Sequence, residues 1–369
     1  MIRGKVIIDK KTKNLVKRIK AQQIAVIDHK DLDQVACKSL VEKQVKAVFN
    51  ISESISGKYP NKGPSVLMNA EIPLVDFYGG NLFSALNDGD IVQYDGSNLY
   101  KNGYIIARGK QITIEDIRKK TNKANKNLEI ELSKFIDNTL KYAHKEKNII
   151  IDMTAPDIGI DFNGSHVLIV VRGVDYRDDL VAIKSYIQEM NPIIIAVDGG
   201  ADACLENGYR PDIIIGDMDS VSDYALTKAK KILVHAYPDG RAPGISRVEK
   251  LGLDYILFPA PGTSEDIAMI LAYDKGADLI TAVGTHSNMI DFLEKGRPGM
   301  SSTLLVRLKL GNKLIDAKGV SKLYQSKIYS HYWLQVFAAI FLPLIFISSI
   351  SPPIKQFIQL LALKIKLLF

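Results

Sequence analysis

Six short apolar runs, at 167–171, 193–197, 212–215, 232–235, 255–258 and 279–283, recur between stretches of helical spacing. The first is uninterrupted and rich in β-branched residues, the mark of a strand buried on both faces. Helical stretches at 178–189, 203–207, 224–231, 264–275 and 287–295 fall between the runs. Strands alternating with helices build a doubly wound, mostly parallel sheet. Residues 148–328 are therefore read as an α/β domain. Ligands of such sheets bind beyond the carboxyl ends of the strands, so function is sought in the loop after each run.

After 193–197 comes Asp198-Gly199-Gly200-Ala201-Asp202. Paired glycines let a backbone turn sharply and approach a ligand closely, and free amides there can hold phosphate oxygens. A plain tight turn has the same composition. After 212–215 comes Gly216-Asp217-Met218-Asp219-Ser220. Carboxylates at i and i+2 point the same way in an extended chain. Such a pair suits Mg²⁺, which takes oxygen ligands and keeps waters and substrate phosphates, so Asp217 and Asp219 are the candidate metal ligands. After 255–258 comes Pro259-Ala-Pro-Gly-Thr263-Ser264-Glu265-Asp266. Thr263 and Asp266 have the spacing of a capping box, which is compatible with ligand contact by Asp266. Arg172, Arg241 and Arg247 follow strands or lie in the loop between them, where a guanidinium can clamp a phosphate or sit on the surface. His286 ends the last run and is a ligand candidate; the other histidines are not spaced as a zinc set. No P-loop, G-x-G-x-x-G or nucleophile elbow occurs.

The rest of the chain is less regular. Residues 1–112 mix short strands and helices and form a smaller N-terminal α/β domain, with a hairpin or small-barrel signature at 88–108. Residues 113–147 are a charged helical linker without glycine or proline. The net charge of +7 comes mostly from residues 317–369, which hold six lysines and no acidic residue, leaving about +1 elsewhere. That distribution argues against nucleic acid and for a membrane. Residues 332–350 carry no charge and have the length of a transmembrane helix, followed by a basic apolar tail at 351–369. Cys37 and Cys204 are too few for a disulfide framework and suit a reducing compartment. The start of the chain is too polar for a signal peptide.

Asp198-Gly-Gly-Ala, Arg210-Pro-Asp-Ile-Ile-Ile-Gly-Asp-Met-Asp-Ser220 and Thr263-Ser-Glu-Asp266 resemble the catalytic domain of thiamine pyrophosphokinase, over roughly residues 167–310. The resemblance implies ATP, or another nucleotide, and Mg²⁺ as cofactors. It places Asp198, Asp217, Asp219 and Asp266 on the family's catalytic acidic positions. Gly199, Gly200, Gly216, Ser220, Thr263, Ser264, Arg172, Arg241 and His286, from their places at or between the strand ends, are the expected nucleotide-binding residues. It implies in-line diphosphoryl transfer if the domain is active. The sequence departs from that family at 284–291, and residues 311–327 are too short for its C-terminal β-sandwich.

Val171-Arg-Gly-Val-Asp-Tyr176, His235-Ala-Tyr-Pro-Asp-Gly-Arg-Ala-Pro-Gly244, Lys295-Gly-Arg-Pro-Gly-Met300 and Asp316-Ala-Lys-Gly-Val-Ser321 are similar to the SteA-like cytokinetic-ring proteins, over nearly the whole chain. That likeness implies a Mg-nucleotide-binding protein of bacterial cytokinesis and cell separation. The expectation is of a single-pass protein of the cell membrane, its soluble domains cytoplasmic. A septal membrane-protein partner and a homodimer are further expectations. The alternatives are an active diphosphokinase for thiamine or a pterin, and a non-catalytic scaffold.

Overall fold

The computed structural model describes residues 1–78, 82–323 and 330–366, in two compact units, Met1–Ser321 and Lys322–Phe369. The first unit begins with β1 (Ile2–Ile8), α1 (Thr12–Arg18), β2 (Ile24–Ile27), α2 (Gln34–Glu42), β3 (Ala47–Asn50), α3 (Gly63–Asn69), β4 (Leu74–Tyr78) and α4 (Leu82–Ala85). Strands β5 (Ile91–Tyr94), β6 (Asn98–Lys101) and β7 (Tyr104–Gln111) come next. These seven strands close into a barrel in the order β1-β2-β3-β4-β7-β6-β5. Its first four strands are parallel with helices between them, and β5–β7 complete the circle antiparallel.

Period-2 alternation explains why β2 and β3 are buried throughout. Ile24, Val26, Ala47 and Phe49 fill the barrel, while Ala25, Ile27 and Val48 lie under the helices. Inside, Phe49, Phe77 and Tyr94 meet edge to face with centroids 5.1–5.9 Å apart. The hairpin signature at 88–108 thus belongs to the closing half of this barrel.

Helix α5 (Ile114–Ile151) then joins the barrel to the sheet. Thr113 and Asp116 cap it reciprocally, each backbone N–H donating to the other's side chain at 3.1 Å. Its first part lies on the barrel, where Lys120 pairs with Glu53. Its later part packs on the second half of the unit. There Phe135 meets Phe292 at 6.3 Å, and Thr139 accepts from the Met300 N–H at 3.1 Å.

Elements β8 (His166–Val170), α6 (Tyr176–Ala182), α7 (Lys184–Met190), β9 (Ile193–Val197), α8 (Gly200–Glu206), β10 (Ile213–Gly216) and α9 (Asp223–Leu226) open the second half. They lead to β11 (Lys231–Ala236), α10 (Ile245–Lys250), β12 (Ile256–Pro259), α11 (Ser264–Asp274), β13 (Leu279–Val283), α12 (Met289–Glu294), α13 (Ser301–Leu310) and β14 (Leu314–Asp316). The strands form one parallel sheet, β12-β11-β10-β9-β8-β13-β14. Both faces are apolar for the reason the unbroken runs suggested. Val167, Ile169, Ile195, Ile213 and Ile215 face one core layer; Leu168, Val170, Ile194, Ala196 and Ile214 face the other. The chain runs outward from β8 through β12 and then returns to β13 on the far side of β8. The reversal of direction at β8 makes the carboxyl ends of β8 and β13 a topological switch point.

The second unit contains α14 (Ser330–Ile350) and α15 (Pro352–Lys366). Among the described residues no helix is long and apolar enough to cross a membrane. Gln335 and the serines at 348 and 349 confine the unbroken apolar run of α14 to residues 336–347, and Pro343 lies within it. At about 1.5 Å per residue that run spans roughly 18 Å, against a hydrocarbon core of about 30 Å. The transmembrane helix expected at 332–350 is therefore corrected to a shorter apolar segment of a helix. The single-pass placement in the cell membrane, which rested on that span, falls with it.

Candidate functional site

The loop after β9 turns through Asp198, which adopts φ +46°. Its carboxylate is folded under the neighbouring loop, where Oδ1 accepts the Met218 N–H at 3.0 Å. This explains Gly216 directly. A Cβ there would lie 2.0 Å from Asp198 Oδ1, so only glycine leaves room for the carboxylate. Gly200 makes room for a different group, since a Cβ there would meet the Val170 carbonyl oxygen at 2.1 Å.

The loop after β10 brings Asp217 and Asp219 to Asp198. Asp219 N–H donates to Asp217 Oδ1 at 3.1 Å. Burial, and then the charge of Asp217, raise Asp198 to about 8. Burial raises Asp217 as well, with the adjacent Asp219 carboxylate adding to it. Burial opposes ionisation of Asp219 too, but hydrogen bonds from Lys13 and Asp217 outweigh it and hold Asp219 below the ordinary carboxylate range. Burial and mutual repulsion thus favour the protonated forms of Asp198 and Asp217, while Lys13 favours the ionised form of Asp219.

The donor set fits Mg²⁺. Among the described residues no group of three or more His, Cys, Asp or Glu side chains is placed to enclose a metal ion. Mg²⁺ does not need one, because it is commonly held by one or two carboxylates and completes its shell with water and phosphate oxygens. Asp217 and Asp219 supply hard oxygens of that kind beside a loop whose glycine makes the space.

The other expected residues are placed differently. Ser220 carries the carbonyl that accepts from Lys17 at 3.4 Å. The stem of Arg172 passes over Gly199, where an added Cβ would meet its Cδ at 3.3 Å. Arg241 is held locally: Nε donates to Asp239 Oδ2 at 2.7 Å and the guanidinium lies 5.3 Å from the Tyr237 ring centroid. Thr263 and Asp266 form the capping box of α11. Asp266 Oδ2 also accepts from Ser302 at 2.8 Å and Thr303 at 3.1 Å, while Oδ1 is buried without a partner among the described residues. Burial moves its pKa upward. Ser264 Oγ is 3.1 Å from His235 Nδ1.

His286 Nδ1 lies 2.6 Å from Glu265 Oε1, which also pairs with Lys295 at 3.2 Å. Burial opposes the ionisation of Glu265, but the His286 and Lys295 charges prevail and keep it far below the usual range. The structure therefore brings together Asp198, Asp217, Asp219, Ser220, Gly199, Gly216 and Arg172. It sets Asp266, Thr263, Ser264 and His286 in a second group at the ends of β12 and β13. A cavity of about 400 Å³ opens at the opposite, amino ends of β9 and β10, beside Arg210 and Asp212. It is remote from the carboxylates, and ligands of open parallel sheets bind at the other edge.

Glu265 and Lys295 were not expected as partners of His286, although each stands in a motif that carries a family resemblance. Nor were Lys13 and Lys17 expected at the site, and no local signal exists for them.

The family described as the thiamin pyrophosphokinase catalytic domain matches residues 184–241, the segment holding Asp198, Asp217 and Asp219. Residues 318–369 match the family described as the SteA-like C-terminal domain. The chain joins a thiamin pyrophosphokinase-like catalytic domain to a SteA-like C-terminal domain. Thr263–Asp266 and His286 lie beyond the kinase-like match. A crystal structure of thiamine pyrophosphokinase from Bacillus subtilis is similar at 22% identity, with a TM-score of 0.26. That likeness covers 41% of this chain and 60% of the other, less than two thirds of its length. No curated protein matches the chain.

Proposed function

We propose that the kinase-like domain binds a nucleotide polyphosphate with Mg²⁺ at the loops after β9 and β10. The observation that carries this is the convergence of Asp198, Asp217 and Asp219 within the kinase-like segment, at the carboxyl edge of a parallel sheet. Asp217 and Asp219 would hold the metal. Asp198, half-buried against Gly216, positions the loop that carries them. Bound Mg²⁺ would neutralise phosphate charge and supply the electrophilic assistance of phosphoryl transfer. We assign this binding activity to bacterial cytokinesis and cell separation on the sequence resemblance to the SteA-like cytokinetic-ring proteins alone.

Titration of the full-length chain with a non-hydrolysable ATP analogue tests the reading. Binding is expected with Mg²⁺ and is expected to vanish when EDTA removes it. Equal affinity with and without Mg²⁺, or no binding under either condition, would contradict it.

A further inference from the structure

Helix α1 of the barrel lies against the loop after β10. Leu15 and Val16 of α1 turn into the barrel domain's core. Lys13 and Lys17, four residues apart and so on one helical face, turn instead to the kinase-like domain. Lys13 Nζ pairs with Asp219 Oδ2, and Lys17 Nζ donates to the Ser220 carbonyl at 3.4 Å. Two arginines approach from the sheet side. Arg172 crosses Gly199, and Arg247 donates to the Met218 carbonyl at 2.5 Å and to Asp223 Oδ1 at 2.5 Å and 3.0 Å. Burial, and then repulsion from Arg247, lower the pKa of Lys17, with Arg172 and Lys13 adding to the effect. Four cations are thus gathered around the carboxylates of two loops.

A site carrying both signs in adjoining positions fits a ligand that carries both. The carboxylates suit a divalent cation, and the lysines and arginines suit the phosphate oxygens bound to it. We propose that α1 supplies Lys13 and Lys17 as polyphosphate-binding residues, so that one nucleotide bridges the barrel and the parallel sheet. This inference rests on the strand-end loops being a nucleotide site. Without ligand, Lys13 is the counter-ion of Asp219; with ligand, it turns to a phosphate oxygen. The kinase-like domain is then incomplete without the barrel, and occupancy tightens a domain contact that Lys38–Asp175 at 2.5 Å and Arg177–Glu42 at 2.6 Å also hold.

The test uses the full-length chain, Mg²⁺ and a non-hydrolysable ATP analogue in a calorimeter. The double variant Lys13→Ala/Lys17→Ala is expected to lose about tenfold or more in affinity, as two charge-assisted contacts imply. Its melting temperature should match the wild type. Lys13→Arg/Lys17→Arg, which keeps both charges, should bind within a few-fold of the wild type. Unchanged affinity in the alanine pair would overturn the inference and leave the strand-end site standing. An equal loss in both pairs would assign the effect to the packing of α1 and overturn it too. A wild-type chain that binds no nucleotide would remove both the site and the inference.

Discussion

Asp217→Ala is expected to lower Mg-dependent nucleotide affinity by more than about 100-fold, beyond the loss typical of a partner outside the first coordination shell. The fold should survive, and for a specific reason. Burial raises the pKa of Asp217 above its unfolded value. A carboxylate whose folded pKa is raised contributes stability only below its unfolded pKa and is penalised as pH rises through the folded one. At neutral pH the alanine variant therefore removes a carboxylate that the folded state holds at a cost. Because Asp217 is exposed, solvent screens most of that cost, and the melting temperature should match that of the wild type. Loss of binding with retained stability separates a ligand site from a structural knot. A variant that binds normally, or one that unfolds, contradicts the assignment.

Gly284→Ala should have the largest effect on stability. Gly284 follows β13 at φ +68°, and a Cβ there would lie 2.1 Å from the Val171 carbonyl oxygen. Its own carbonyl oxygen would in turn lie 2.0 Å from a Cβ on Gly173. The loops after β8 and β13 are therefore in backbone contact at the switch point. The substitution combines overpacking with a left-handed backbone, for a cost of about 2–5 kcal/mol. Gly252→Ala is the matched control. Its φ is +64° and nothing lies within 4 Å of an added Cβ, so only the backbone cost of about 1–2 kcal/mol remains. Urea denaturation of the two variants should separate them clearly. Similar losses would mean that the loops have room to part.

The parallel sheet was legible because its strands are buried on both faces, so runs such as 193–197 stand out as apolar without any polar interruption. The barrel was less so. Its closure depends on β1 pairing with β5, with Lys5 opposite Ile91, and nothing local in either segment announces that partner. In the site, Asp198, Asp217 and Asp219 were visible because each comes within a few residues of a strand's end. Gly216 was expected to stand beside a ligand; its structural task is to make space for Asp198. Lys13 was illegible, since its partner Asp219 lies 206 residues away and a lysine-rich start reads as solvated surface. The C-terminal helix misled in the opposite direction. Counting apolar residues across 332–350 gave no weight to Gln335 and the serines at 348 and 349, which shorten the unbroken apolar run to 336–347.

The central claim is the position of the metal and phosphates, and anomalous diffraction reads it directly. Crystals of the full-length chain grown with Mn²⁺ and a non-hydrolysable ATP analogue should show a manganese peak between the carboxylates of Asp217 and Asp219. The phosphates should lie beside it, at the edge of the sheet facing α1. Bound nucleotide with manganese elsewhere, or nucleotide at the amino ends of β9 and β10, would contradict the account.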